Sequence, residues 1–90
     1  MSLVTKFGTD TKRMRLTATV EDDATGEVFL IATAEKDDKI KVERPDGTAF
    51  PANDEGVYTI TKDGKVIGEL LHTYLYYLVQ YGKSLYKRKG

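Results

Sequence analysis

The residues of this 90-residue chain that could do chemistry begin with its single histidine. His72 has Glu69 three residues before it as its only acidic neighbour at helical spacing. Metal sites and proton relays need several converging groups, and this pair supplies too few. We therefore expect His72 to be a surface residue of a helix, and we assign no metal ligand.

The acidic residues are clustered, which raises the question of a cation site. Every cluster falls in a predicted turn, where aspartate is favoured for backbone reasons. The spacing in the first cluster does not match that of a calcium-binding loop, so we expect solvated loops. The clusters are Glu21 to Asp23 with Glu27, Asp37 with Asp38, and Asp54 with Glu55.

Nucleophilic catalysis has few candidates in this sequence. There is no cysteine, and the serines, Ser2 and Ser84, have no base placed beside them. The glycines are spaced as turn residues and form neither a dinucleotide-binding nor a P-loop motif. We expect a protein that is not an enzyme, with no catalytic residues, no cofactor and no evident small-molecule substrate.

Composition and charge narrow the function classes further. Charged residues make up 31% and hydrophobic residues 40%, as in ordinary globular domains. Fourteen basic residues balance fourteen acidic ones, so net charge gives no attraction to nucleic acid or anionic lipid. The missing cysteines, and the lack of a signal peptide or an 18-residue apolar run, favour a cytoplasmic protein without membrane contact. We expect a single domain over 1–90.

Apolar residues at every second position predict strands in the first two thirds of the chain. Apolar and polar residues alternate from Met14 to Glu21, and a continuous apolar run over 28–32 predicts a central strand covered on both faces. Alternation returns over 39–43 and 57–62, and Asp63-Gly64 predicts a tight hairpin. We place the strands within 12–67 and expect residues 1–11 to be loosely ordered.

From about residue 68 the period becomes helical and predicts one long helix to about residue 87. Gly82 is expected inside this helix, where it lets the helix lie close to the sheet. The predicted fold class is α+β: an antiparallel sheet or partly open barrel of four to five short strands in a meander, followed by one long C-terminal helix packed on it.

Five of the six tyrosines lie in this helical segment, together with many aliphatic residues. The wide arc predicted to form the core contains Ile67, Leu70, Leu71, Tyr74, Leu75, Leu78, Tyr81, Gly82 and Leu85. Tyr76 falls on the opposite, polar side, either as an ordinary exposed tyrosine or as an interface anchor. The predicted protein interface consists of Tyr76, Tyr77, Gln80, His72 and Lys83.

A second hypothesis is that the protein binds nucleic acid. It would do so through two basic patches that lie near tyrosines able to stack on bases. In order of elements only, the chain resembles the small chromatin-type barrels that end in a helix, which implies nucleic-acid binding. The acidic loops would repel phosphate, so this hypothesis ranks second. Its candidate residues are Lys12, Arg13, Arg15, Lys87, Arg88 and Lys89.

Small size and the scarcity of chemical groups favour an interaction module, such as an assembly, accessory or inhibitory protein. Its partner would be another protein or a second copy of the chain. We predict that the C-terminal helix forms the contact surface.

Overall fold

A computed structural model of the chain describes residues 2–87, with side chains from 2 to 85. It contains six strands, a short 3-10 turn over Lys36–Asp38 and one helix. In chain order the elements are β1 (Leu3–Asp10), β2 (Arg15–Asp22), β3 (Val28–Ala34), β4 (Ile40–Glu43), β5 (Val57–Lys62), β6 (Lys65–Leu71) and α1 (His72–Lys87).

The strands form two antiparallel sheets. The first four make a meander in the order β1-β2-β3-β4, and β5 pairs only with β6. Helix α1 packs on both sheets, with its main contacts to β2, β3 and β6. The predicted α+β class is confirmed, and the sheet does not close into a barrel.

One face of the four-stranded sheet carries the core, because alternate residues of β2 and β3 point to the same side. The register places Ala18 beside Ala32 and Val20 beside Leu30, and all four are buried. The alanines keep this floor shallow, so α1 can approach closely. The opposite face bears Thr17 and the other threonines of β2 and β3.

The predicted loose N-terminus is wrong, because residues 3–10 form the first edge strand. All eight residues of β1 pair in register with β2, from Leu3 opposite Asp22 to Asp10 opposite Arg15. Threonines at alternate positions hide its periodicity, since they count as polar yet favour strands. The polar turn that follows then reverses the chain into β2.

The helix begins four residues later than predicted, because β6 extends to Leu71. Asp63 and Gly64 both have positive φ, 52° and 78°, as a tight hairpin requires. The returning strand pairs with β5 as far as Val57 opposite Leu71. The register shifts by one residue between Ile60 and Thr61, which leaves Ile67 unpaired. Pairing on both sides of this bulge overrides the helical spacing of these apolar residues. Within residues 2–87, no helix is both long and apolar enough to cross a membrane.

Candidate protein-binding face

The start of α1 is fixed by two contacts with the β5 region. The His72 amide donates to the Gly56 carbonyl at 2.8 Å. The Tyr58 hydroxyl lies 2.8 Å from Nδ1 of His72, and the two rings are 5.9 Å apart. Tyr58 is buried, which raises the pKa of its phenol above 10.0. His72 is therefore a partly buried anchor of the helix start.

Leu75, Val79 and Gly82 form the buried side of α1. This stripe is rotated by roughly 80° about the helix axis from the predicted core arc. Leu75 and Gly82 belong to both, and Leu78 is partly buried against the core. Tyr74, Tyr81 and Leu85, however, are exposed, so their predicted place in the core is wrong.

The rotation has a physical cause in the shape of the sheet surface under the helix. The predicted arc includes Ile67, Leu70 and Leu71 as helical residues. In the structure they belong to β6, so they have no helical direction. The shallow surface formed by Ala18 and Ala32 accommodates Val79 and Gly82 better than large tyrosine rings.

The rotation leaves a row of large side chains on the outside of α1, which we call the tyrosine stripe: Tyr74, Tyr77, Tyr81 and Leu85. Their spacing of three and four residues keeps them on one side of the helix. Their exposed fractions are 45%, 68%, 58% and 38%. Tyrosine rings are best placed with one side buried, so three of them in a row with Leu85 form a surface suited to a partner.

The tyrosine stripe lies beside β1, the edge strand of the large sheet. The ring of Phe7 is 40% exposed and its centre is 6.3 Å from that of Tyr81. The hydroxyls of Thr5 and Tyr74 are 3.5 Å apart. The apolar surface of the helix therefore continues onto the edge of the sheet.

The predicted interface residues do not share one exposed face. Tyr77 is exposed as expected, and its ring lies 5.4 Å from that of Tyr76. Tyr76 itself is partly buried, so its predicted position on the solvated side is wrong. Gln80 is also partly buried, and its Nε2 has no hydrogen-bond partner among the described residues. Lys83 reaches Asp38 at 3.4 Å.

Sequence analysis missed three members of the exposed surface beside Tyr77 because it assigned them to the core. Helical spacing alone places Tyr74, Tyr81 and Leu85 near the centre of the apolar arc, so it gives no signal that they are exposed. The missing cap before residue 72 gave no boundary signal. Phe7 lay in a segment without an assigned element.

Some of the basic residues proposed to bind nucleic acid lie close together in the structure. Arg13, Arg15 and Lys83 line an open depression of about 620 Å³ at one end of the sheet, with Met14 on its rim. Lys12 is exposed in the β1–β2 turn. The side chain of Lys87, together with Arg88 and Lys89, lies outside the described residues.

Carboxylates neutralise most of this basic surface. Arg13 Nε bonds Asp10 at 2.9 Å, which lowers the pKa of that carboxyl. Arg15 lies 3.3 Å from Glu35. With Lys83 paired to Asp38, the three cations that line the depression already have anionic partners.

The acidic clusters have structural roles in their turns. The carboxylate of Asp22, only 2% exposed, accepts from the amides of Ala24 at 2.7 Å and Thr25 at 3.3 Å. Glu27 pairs with Lys62 at 2.9 Å. Among residues 2–87, no three acidic or histidine side chains are grouped as metal ligands.

A comparison of the chain with protein-family models, curated proteins and solved structures finds no match.

Proposed function

We propose that this chain is a non-enzymatic interaction module that binds a protein through the tyrosine stripe and the adjoining edge of β1. One observation carries the proposal: Tyr74, Tyr77, Tyr81 and Leu85 form a continuous exposed row that Phe7 extends onto the sheet. The contact surface belongs to the C-terminal helix, as expected from the sequence, but to a different side of it.

The residue types of this surface favour a protein partner. Scattered exposed apolar groups are normal, whereas a contiguous apolar row marks an interaction site. Tyrosine is enriched among the residues that dominate binding energy, because its ring is buried and its hydroxyl finds a polar partner at the rim.

The charges of the molecule support the same proposal over nucleic-acid binding. A phosphate backbone is bound by cations that release counterions, and Arg13, Arg15 and Lys83 are held by carboxylates. His72 is engaged by Tyr58 rather than facing an open cavity. We place the protein in the cytoplasm, where a chain without cysteine is well suited.

Site-specific photocrosslinking in an extract of the native source tests the proposal. A photoreactive phenylalanine analogue replaces Tyr77 in one sample and Lys41 in a control. Lys41 is also exposed but lies on the far side of the sheet, on β4. We expect a protein adduct from position 77, including any adduct with a second copy of the chain. The control position should give none.

The test becomes specific if the adduct from position 77 also depends on other residues of the tyrosine stripe. Tyr81→Glu places a charge one turn away from the probe and should remove the adduct, while Lys65→Glu on β6 should leave it. Equal adduct yields at positions 77 and 41 would overturn the proposal. Binding of single- or double-stranded oligonucleotides at low salt that Tyr81→Glu leaves unchanged would instead favour the nucleic-acid function.

A further inference from the structure

The backbone of β1 has hydrogen-bonding groups on its outer edge that no described residue uses. The Asp23 amide donates to the Ser2 carbonyl at 2.9 Å, and the Asp22 amide donates to Glu27 on the other side of β2. In an antiparallel ladder these directions alternate. Even-numbered residues of β1 therefore bond β2, whereas Leu3, Thr5, Phe7 and Thr9 direct their amides and carbonyls outward.

The opposite edge of the same sheet is protected. Strand β4 has only four residues and is followed by Pro45. The returning chain covers it, with a bridge between Glu43 and Ala49 and a bond from the Phe50 amide to the Val42 carbonyl at 3.1 Å. Short length, proline and a covering loop are common ways of blocking edge pairing.

Strand β1 has fewer of these protections. It is eight residues long and contains no proline. Its one lysine, Lys6, belongs to the opposite face, where its amine lies 3.6 Å from Glu21. The outward residues carry uncharged side chains on the helix side of the sheet, next to Tyr74 and Tyr81. An open edge and an apolar flank thus occur at one place.

We propose that a second copy of this chain pairs with β1, in an antiparallel arrangement about a two-fold axis at Phe7. This inference rests on the proposed protein-binding role of the surface and names its partner. Two-fold symmetry suits the site because an antiparallel edge is complementary to itself. The two four-stranded sheets become one continuous sheet.

The register follows from the residues that point outward. With Phe7 opposite Phe7 of the second copy, Thr5 lies opposite Thr9 and Thr9 opposite Thr5. These three pairs make about six backbone hydrogen bonds. Aromatic pairs and threonine pairs both stabilise antiparallel strands. Lys6 then lies opposite Gly8, so the lysines of the two copies do not face each other directly.

The same arrangement covers part of the tyrosine stripe. Phe7 already contacts Tyr81, so pairing at Phe7 brings two rings from each copy together at the axis. Tyr77 is the most exposed residue of the tyrosine stripe and lies farther from this axis around the helix. The net charge of zero also means that two copies do not repel each other as wholes.

Sedimentation equilibrium of the purified chain tests the dimer. We expect a dimer at about 100 μM, and Thr5→Pro should weaken it by at least about tenfold. Proline at this position removes only an outward amide, so the ladder to β2 remains. Thr5→Val keeps the amide and is the matched control. A monomeric wild type, or a dimer equally strong in Thr5→Pro, would overturn the inference.

A register test remains decisive if the proline variant fails to fold. Because the chain has no cysteine, Thr5→Cys and Thr9→Cys each introduce a single thiol. An equimolar mixture of the two single variants should form an intermolecular disulfide under mild oxidation far faster than Thr5→Cys alone. Equal rates would contradict the register. A monomeric chain that still gives a Tyr77 adduct with another protein would overturn this inference and leave the proposed function intact.

Discussion

The contact between Tyr58 and His72 is one of the two contacts that fix the start of α1. Tyr58 is buried in the second sheet, and its hydroxyl meets the first residue of the helix at 2.8 Å. The start of the helix is thus held by a residue that lies outside the tyrosine stripe.

Replacing Tyr58 with phenylalanine should destabilise the protein by about 1 kcal/mol, because the ring still packs but the hydrogen bond to His72 is lost. Urea unfolding at pH 7 measures the change. Tyr77→Phe is the matched control, since its hydroxyl is on the surface, and it should leave the midpoint unchanged. Equal midpoints for wild type and Tyr58→Phe would show that the hydroxyl contributes nothing.

Asp22 should make the stability depend on pH. The amide of Ala24 lowers the pKa of this carboxyl below 3.8, with burial opposing it and the amide of Thr25 assisting. The unfolded chain therefore binds the proton more tightly than the folded chain does. The stabilisation is present above pH 3.8 and is lost as the pH falls through the lower, folded pKa.

Asp22→Asn keeps an oxygen for the two amides but removes the titration. We expect its unfolding midpoint in urea to fall less steeply than that of wild type below about pH 4. A remaining slope is expected, since turn hydrogen bonds also lower the pKa values of Asp10 and Asp46. If the unfolding midpoints of the two proteins fell equally steeply below pH 4, Asp22 would not contribute to the pH dependence of stability.

Among the elements, α1 depends on Gly82 for its closeness to the sheet. A Cβ there would lie 2.5 Å from Cδ2 of Leu16 and 2.8 Å from the ring of Phe7. Gly82 is inside the helix, as predicted from the sequence, and is buried. The missing side chain lets the helix rest on β1 and β2.

Gly82→Ala should lower stability by about 1 kcal/mol, since overpacking outweighs the gain in helix propensity. Thermal unfolding measures the change. Ser84→Ala, on the exposed side of the same helix, should be neutral or slightly stabilising. A Gly82→Ala variant more stable than wild type would show that α1 can move away from the sheet without cost.

Element types were predictable from the sequence where periodicity or turn chemistry was local. The alternation over β2 and the Asp63-Gly64 turn each give a signal within a few residues. The end of β6 at Leu71 depends on pairing with Val57, which lies 14 residues earlier. Local spacing could not reveal that pairing, so the helix start was predicted four residues too early.

For the whole molecule, the fold class followed from the change of period along the chain, but the candidate site did not. Its surface needs Phe7 beside Tyr81, a contact between the first strand and the last helix. Such a long-range contact follows only from the complete topology. Tyr77 was predicted correctly as exposed because it lies at the border of the predicted core arc, on the side that the rotation turns away from the sheet.

The proposed function depends on whether another protein covers the tyrosine stripe, and photocrosslinking from position 77 measures this most directly. The account predicts an adduct from this position that Tyr81→Glu removes, and none from Lys41. Adducts that form equally well from both positions, or that persist with Tyr81→Glu, would contradict it.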